Sequence, residues 1–94
     1  MPRPRKRRLV RFRPSVDYFK PAGVPLRKLQ EVILEYDEAE ALRLKEVKGF
    51  DQNLCAEKMR LSQSSFQRIL ANARKKVAEA IIRGKAIRIE KRGD

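Results

Sequence analysis

Apolar and polar positions alternate along this chain with two different periods. Glu31–Tyr36 (EVILEY) is β-branched and apolar, which predicts a short strand. Asp37, with Glu40 three residues on, has the pattern of a capping box and predicts a helix start. Ala39, Leu42 and Val47, helped by Ala41 and Leu44, form the apolar stripe of that helix, and Gly49 ends it. Asp51 caps a second, short helix running through Met59. Ser62 caps a third, in which Phe66, Ile69, Leu70, Ala73, Val77, Ala80 and Ile81 recur at helical spacing up to Gly84. At 1.5 Å per residue this helix is ~30 Å long. Lys85–Glu90 (KAIRIE) alternates again, with Ile87 and Ile89 on one face, and reads as a second strand that pairs with the first within the chain or across a dimer. Between Pro14 and Pro25 the punctuation by Pro21, Gly23 and Pro25 predicts a loop, with Tyr18 and Phe19 anchoring it to the core. The fold class is therefore mainly α: a three-helix helix-turn-helix domain with two short flanking strands over residues 14–94, preceded by a flexible basic arm over residues 1–13.

The helix-turn-helix is read from the segment 52–70. Two helices crossing closely need a small residue at the crossing, and Ala56 stands there. Cys55 and Met59 fill the inward slots of the first helix. A tight turn follows at Arg60-Leu61-Ser62, with Leu61 inward and Ser62 as cap. Phe66 and Ile69 fill the inward slots of the second. The turn favours glycine because a left-handed backbone is cheap there, and Arg60 occupies that slot.

Charge changes the picture from a small helical domain to one with an anionic partner. The 94 residues hold 24 Lys+Arg against 12 Asp+Glu, a formal net charge of +12. A domain this basic points to nucleic acid. The cations fall in two zones, an N-terminal run with Arg3, Arg5, Lys6, Arg7 and Arg8, and a stretch from Lys58 to Lys76, on either side of an acidic segment from Glu31 to Glu46. On the recognition helix, about residues 63–83, the outward residues Gln63, Ser64, Gln67, Arg68 and Ala71 are the candidates for base contact in a major groove. Ser62, Asn72, Arg74, Lys75 and Lys76 are the candidates for phosphate contact. The alternative for Arg74 is an ion pair with Glu40 or Glu57. The basic arm is a candidate for the minor groove or the backbone.

Several chemistries are set aside by composition. There is no histidine and one cysteine, so His-based zinc sites, His general bases, Cys–His nucleophile pairs and an intrachain disulfide are excluded. Cys55 reads as a buried structural thiol. Asp37, Glu38 and Glu40 read as helix-start carboxylates rather than catalytic ones. No metal site, no cofactor and no enzymatic activity are expected. No apolar run reaches the ~20 residues of a membrane span, and no apolar stretch follows the basic N-terminus as in a secretory signal, so a cytoplasmic location without a membrane partner is expected.

The stretch DEAEALRL, then Gly49, Gln52, CAEKM, Ser62, Phe66, RIL, ARKKVAEAI and GKAIRIE, with the earlier RPRKRR and YFKPAGVPL, resembles the bacterial and archaeal uncharacterised protein family 0251. The resemblance covers nearly the whole chain. It implies a helix-turn-helix similar to sigma-factor region 4 and a role as a DNA-binding transcriptional regulator. The chain departs from the family pattern at Leu54-Cys55, where Glu-Ala is common, at Arg60, where Gly is common, and at Gln63, where Arg is common. The expected partner is double-stranded DNA. A homodimer is expected from the surplus apolar residues Ala78, Ile81, Ile82, Ile87 and Ile89, with half-sites about 34 Å apart. The alternatives are an RNA-binding or ribosome-associated protein, and a module that touches RNA polymerase.

Overall fold

A computed structural model describes residues 8–91. Its helices and strands run in the order β1 (Tyr18–Phe19), β2 (Glu31–Glu35), α1 (Tyr36–Leu42), α2 (Gln52–Lys58), α3 (Gln63–Arg83) and β3 (Ala86–Glu90). A 3₁₀ turn at Leu26–Lys28 precedes β2, and a π-helical turn at Arg43–Val47 continues α1. The architecture is three helices against a small three-stranded sheet.

β3 is the middle strand, in the order β1-β3-β2. It runs parallel to β2, with Val32 opposite Ile87 and Leu34 opposite Ile89. Parallel neighbours need a long crossover, and here the crossover contains all three helices. The pairing is thus within one chain. β1 joins the other edge of β3 antiparallel, Tyr18 opposite Arg88 and Phe19 opposite Ile87. Tyr18 and Phe19, expected to be loop anchors, form a third strand. Two residues are too few for any alternation to show in the sequence.

Helix α3 ties the two parts of the core together. Its first half packs Phe66, Ile69 and Leu70 against Ala41, Leu44, Cys55, Ala56 and Met59. Ala73, one turn on, packs with Ala39 and with Leu34 and Ile89 of the sheet. Ile89, expected as surplus apolar surface, is therefore core, and Ile87 is half-buried beside it. Ile81 and Ile82 are exposed, at 71% and 82%.

The start of α1 differs from its expectation. The cap is Glu35, two residues before Asp37, and the box closes with Glu38, whose Oε1 accepts the Glu35 N–H at 2.9 Å. Glu40 is drawn instead into the interior. It takes Arg43 Nε at 2.7 Å, Arg43 Nη2 at 3.1 Å and the Arg11 N–H at 3.0 Å. Two acid-x-x-Glu patterns overlap here, and the tertiary partners of Glu40 decide between them. Val47, expected on the apolar stripe, is 78% exposed. The π turn accounts for this: its i+5 bond, Lys48 N–H to Arg43 O at 2.8 Å, adds a residue to the turn and rotates Val47 off the buried face, leaving Leu44 inside.

One carboxylate ties the sheet together at its surface. Glu31 of β2 accepts from Arg88 of β3 at 3.1 and 2.8 Å and from the Tyr18 hydroxyl of β1 at 2.7 Å. The Arg88 guanidinium lies over the Tyr18 ring, 4.7 Å from its centroid. The hydrogen bonds from Arg88 and Tyr18 lower the Glu31 pKa to about 2, and the same Glu31 bond raises that of the Tyr18 hydroxyl.

Candidate nucleic-acid interface

The turn between α2 and α3 is fixed from three sides. Asp51 caps α2 by accepting the Leu54 N–H at 2.9 Å, and the Leu61 N–H reaches back to Ala56 O at 2.9 Å. Arg60 takes the left-handed conformation that its slot requires, at φ +57°. Leu61 is half-buried against the first core cluster rather than wholly enclosed. Ser62 then caps α3, accepting the Ser65 N–H at 3.2 Å, and its hydroxyl lies 3.3 Å from that of Ser64 and 3.0 Å from that of Ser65. Phe66, fully buried, holds the first turn of α3 down.

A helix advances about 100° per residue, so the buried Phe66, Ile69, Leu70, Ala73 and Ala80 occupy one arc of α3. The opposite arc carries Gln63, Ser64, Gln67, Arg68, Ala71, Asn72 and Lys75, all exposed, with Ala71 near its centre. Every residue expected to contact bases therefore lies on one outward face. No acidic residue occurs in α3 before Glu79, which pairs with Lys85 at 2.6 Å. Among the described residues, Arg68 and Lys75 form no ion pair.

The phosphate candidates divide. Ser62, Asn72 and Lys75 are exposed beside the outward arc. Arg74 is exposed but bonded to Glu46, a different acid from the Glu40 or Glu57 expected for it. Lys76 points the other way, with Nζ 2.7 Å from the buried Glu38 carboxylate. Residue 76 falls between the outward arc and the core arc, which a count of cations does not reveal. Arg60, exposed at the turn just before Ser62, joins the surface and was missed because its slot drew attention only to its backbone.

The arm expected to be free over residues 1–13 is docked from Arg8 onward. Arg8 lies 3.4 Å from Asp37, the Leu9 N–H donates to Met59 O at 3.1 Å, and the Arg11 N–H donates to Glu40. Leu9 thus sits beside the α2–α3 turn. Arg3, Arg5, Lys6 and Arg7 lie outside the described residues.

Two buried groups, Glu40 and Cys55, have shifted pKa values. Burial raises the Glu40 pKa, but the hydrogen bonds from Arg43 and from the backbone of Arg11 and Phe12 outweigh it and hold the carboxyl below its usual range. Burial pushes the Cys55 thiol up, and its Sγ donates to Phe50 O at 3.5 Å. Oxygens of Glu35, Asp37 and Glu38 lie within 4.8 Å of one another, yet Lys76 and the Glu35 N–H occupy Glu38, and Arg8 faces Asp37. No helix among the described residues is long and apolar enough to cross a membrane.

Comparison with known proteins agrees with the resemblance seen in the sequence. A UPF0251 protein of Caldanaerobacter subterraneus subsp. tengcongensis, TTE1845, is 53% identical over 90 residues, covering 96% of this chain and 76% of the relative. One from Thermoanaerobacter pseudethanolicus, Teth39_0655, is 54% identical with the same coverage. A UPF0251 protein of Moorella thermoacetica is 56% identical over 90 residues, but these make up 60% of its length. No solved structure matches the chain. The family model described as "Protein of unknown function DUF134" matches residues 1–94, and the chain belongs to that family.

Proposed function

We propose that this protein binds double-stranded DNA through a helix-turn-helix formed by α2, the turn and α3, and acts in the cytoplasm as a sequence-specific transcriptional regulator. The observation that carries this reading is the acid-free outward arc of α3, in which Gln63, Ser64, Gln67, Arg68, Asn72 and Lys75 stand exposed on a helix clamped to the core. From Gln63 to Lys75 the arc is ~18 Å long, enough to lie along a major groove.

The roles follow from side-chain chemistry. Gln63 and Gln67 match the donor–acceptor edge of adenine, Arg68 the O6/N7 edge of guanine, and the Ala71 methyl a thymine methyl. Ser64 offers a hydroxyl to either. The Ser62 hydroxyl, Asn72, Lys75 and the exposed Arg60 face the flanking phosphates. Arg74 and Lys76 are each paired with a carboxylate, which offsets most of their charge. The function is binding, without covalent chemistry. The basic residues Arg3, Arg5, Lys6, Arg7 and Arg8 precede or begin the segment anchored at the turn by Leu9, a position from which an arm reaches DNA seated on α3.

Fluorescence anisotropy on a random duplex pool at several salt concentrations, with sequencing of the bound fraction, tests this. Binding should weaken steeply with salt, log K falling by about 0.9 per phosphate neutralised, and one motif should be enriched. Arg68→Ala should cost about 1–3 kcal/mol on that motif and relax its specificity, whereas Lys75→Ala should weaken all sequences alike. Enrichment that survives Gln63→Ala, Gln67→Ala and Arg68→Ala together would remove α3 from the role, and stronger binding to structured RNA than to duplex would replace DNA as the partner.

A further inference from the structure

A second cationic feature lies away from α3. The segment after Leu9, the π turn and the end of α2 border an open cleft of about 450 Å³, within the ~300–1,000 Å³ of small-molecule sites. Arg11, Arg13, Lys48 and Lys58 line it, and Phe12 and Phe50 contribute aromatic walls. Its single acid, Glu40, is held as a carboxylate and is spent on Arg43, so the cavity keeps four uncompensated cations. Among the described residues Arg11, Arg13 and Lys48 have no side-chain ion pair, and Lys58 rests 5.1 Å from the Phe50 ring centroid. No α3 residue lines the cavity, so DNA seated on the outward arc does not fill it.

The backbone gives a second sign. π turns are rare and occur frequently at functional sites. Arg43 and Leu44 of this one line the cavity, and Lys48 is the donor of its i+5 bond. The irregular turn that expels Val47 is also what sets Lys48 at the cavity rim.

We propose that this cavity binds a nucleotide, its phosphates held by Arg11, Arg13 and Lys48 and its base against the Phe12 and Phe50 rings. Guanidinium and ammonium groups supply the charge-assisted bonds that a di- or triphosphate needs. Half-buried rings give a flat base a stacking surface. The site would couple such a ligand to the turn, because its walls include Lys58 at the end of α2, one residue before Met59, which receives the Leu9 N–H.

Isothermal titration of the full chain with ADP, inorganic pyrophosphate and adenosine, without nucleic acid present, tests the proposal independently of DNA binding. ADP should bind, pyrophosphate about tenfold or more weakly, and adenosine weakest, since loss of either charged or stacking contacts is worth at least a factor of ten. The double variant Arg13→Ala/Lys48→Ala, both exposed, should lose about tenfold in ADP affinity while melting at an unchanged temperature. Arg68→Ala/Lys75→Ala on α3 should leave ADP affinity unchanged. No ADP binding at low salt, equal losses in the two double variants, or pyrophosphate binding as tightly as ADP would each overturn it. So would displacement of ADP by a short duplex together with equal loss of duplex and ADP affinity in the Arg13/Lys48 variant, which would assign the cavity to the DNA surface.

Discussion

Single residues in this protein often serve two elements at once. Glu31 joins all three strands through Tyr18 and Arg88, and its pKa of about 2 lies below the ordinary 4.5. A carboxyl depressed in the folded state contributes stability that is complete above its ordinary value and is lost as pH falls from about 4.5 towards 2. The melting temperature should drop across that window in the native protein, and Glu31→Gln should flatten the drop; high salt should shrink the difference, because the group is exposed and screened. Arg60 holds φ +57° without being glycine. Arg60→Gly should therefore raise stability by about 1 kcal/mol, measured by denaturant unfolding, and remove one cation from the proposed DNA face. Neither the Glu31 cluster nor the conflict at Glu35–Glu40 was legible from spacing. The first depends on side chains from three separate strands, and the second on the backbone N–H of Arg11, 29 residues before Glu40.

At the scale of elements, the chain's own punctuation is informative where it acts locally. Asp51, Ser62 and Gly84 mark the ends of α2 and α3 as expected, because caps are short-range chemistry. Gly84 takes φ +67°, a left-handed end that suits a residue without a side chain. Ser62→Ala should cost about 1 kcal/mol of stability by freeing the Ser65 N–H, seen as a lower unfolding midpoint with an unchanged denaturant slope. The π turn was not legible: its residues, Arg43–Val47, have ordinary helical spacing, and only packing of Leu44 against α2 and α3 reveals the added residue. The outward arc of α3 was legible because a long amphipathic helix sorts its residues by period alone. The place of Lys76 was not, since its partner Glu38 lies 38 residues earlier.

Across the whole molecule, α3 has two outward characters. Its first half presents polar and cationic groups; its last turns present Ala78, Ile81 and Ile82 to solvent, next to a groove formed by Phe19, Pro21, Ile81 and Ile87. Pairing of two copies through this apolar end would set two recognition helices on successive turns of DNA. Light scattering coupled to size-exclusion chromatography should then report a dimer, and Ile81→Glu/Ile82→Glu should convert it to a monomer without loss of fold, both side chains being exposed. A monomer at micromolar concentration in the unaltered protein would end that expectation. Of the surplus apolar residues, Ile87 and Ile89 could not be assigned from sequence, because a strand's apolar face looks the same whether it meets a partner chain or its own core.

The central position of β3 has a consequence for how the protein is made. β1 and β2 do not touch as neighbours; each has β3 as its partner in the sheet. While a ribosome is still synthesising the helices, both earlier strands wait without a mate, and Leu34 and Ala73 lack the Ile89 that closes over them. A half-translated chain is thus unable to assemble the sheet that steadies the middle of α3. Its cationic helix gains the support of the sheet only after β3 has left the ribosome, which would delay the proposed grip on DNA until then.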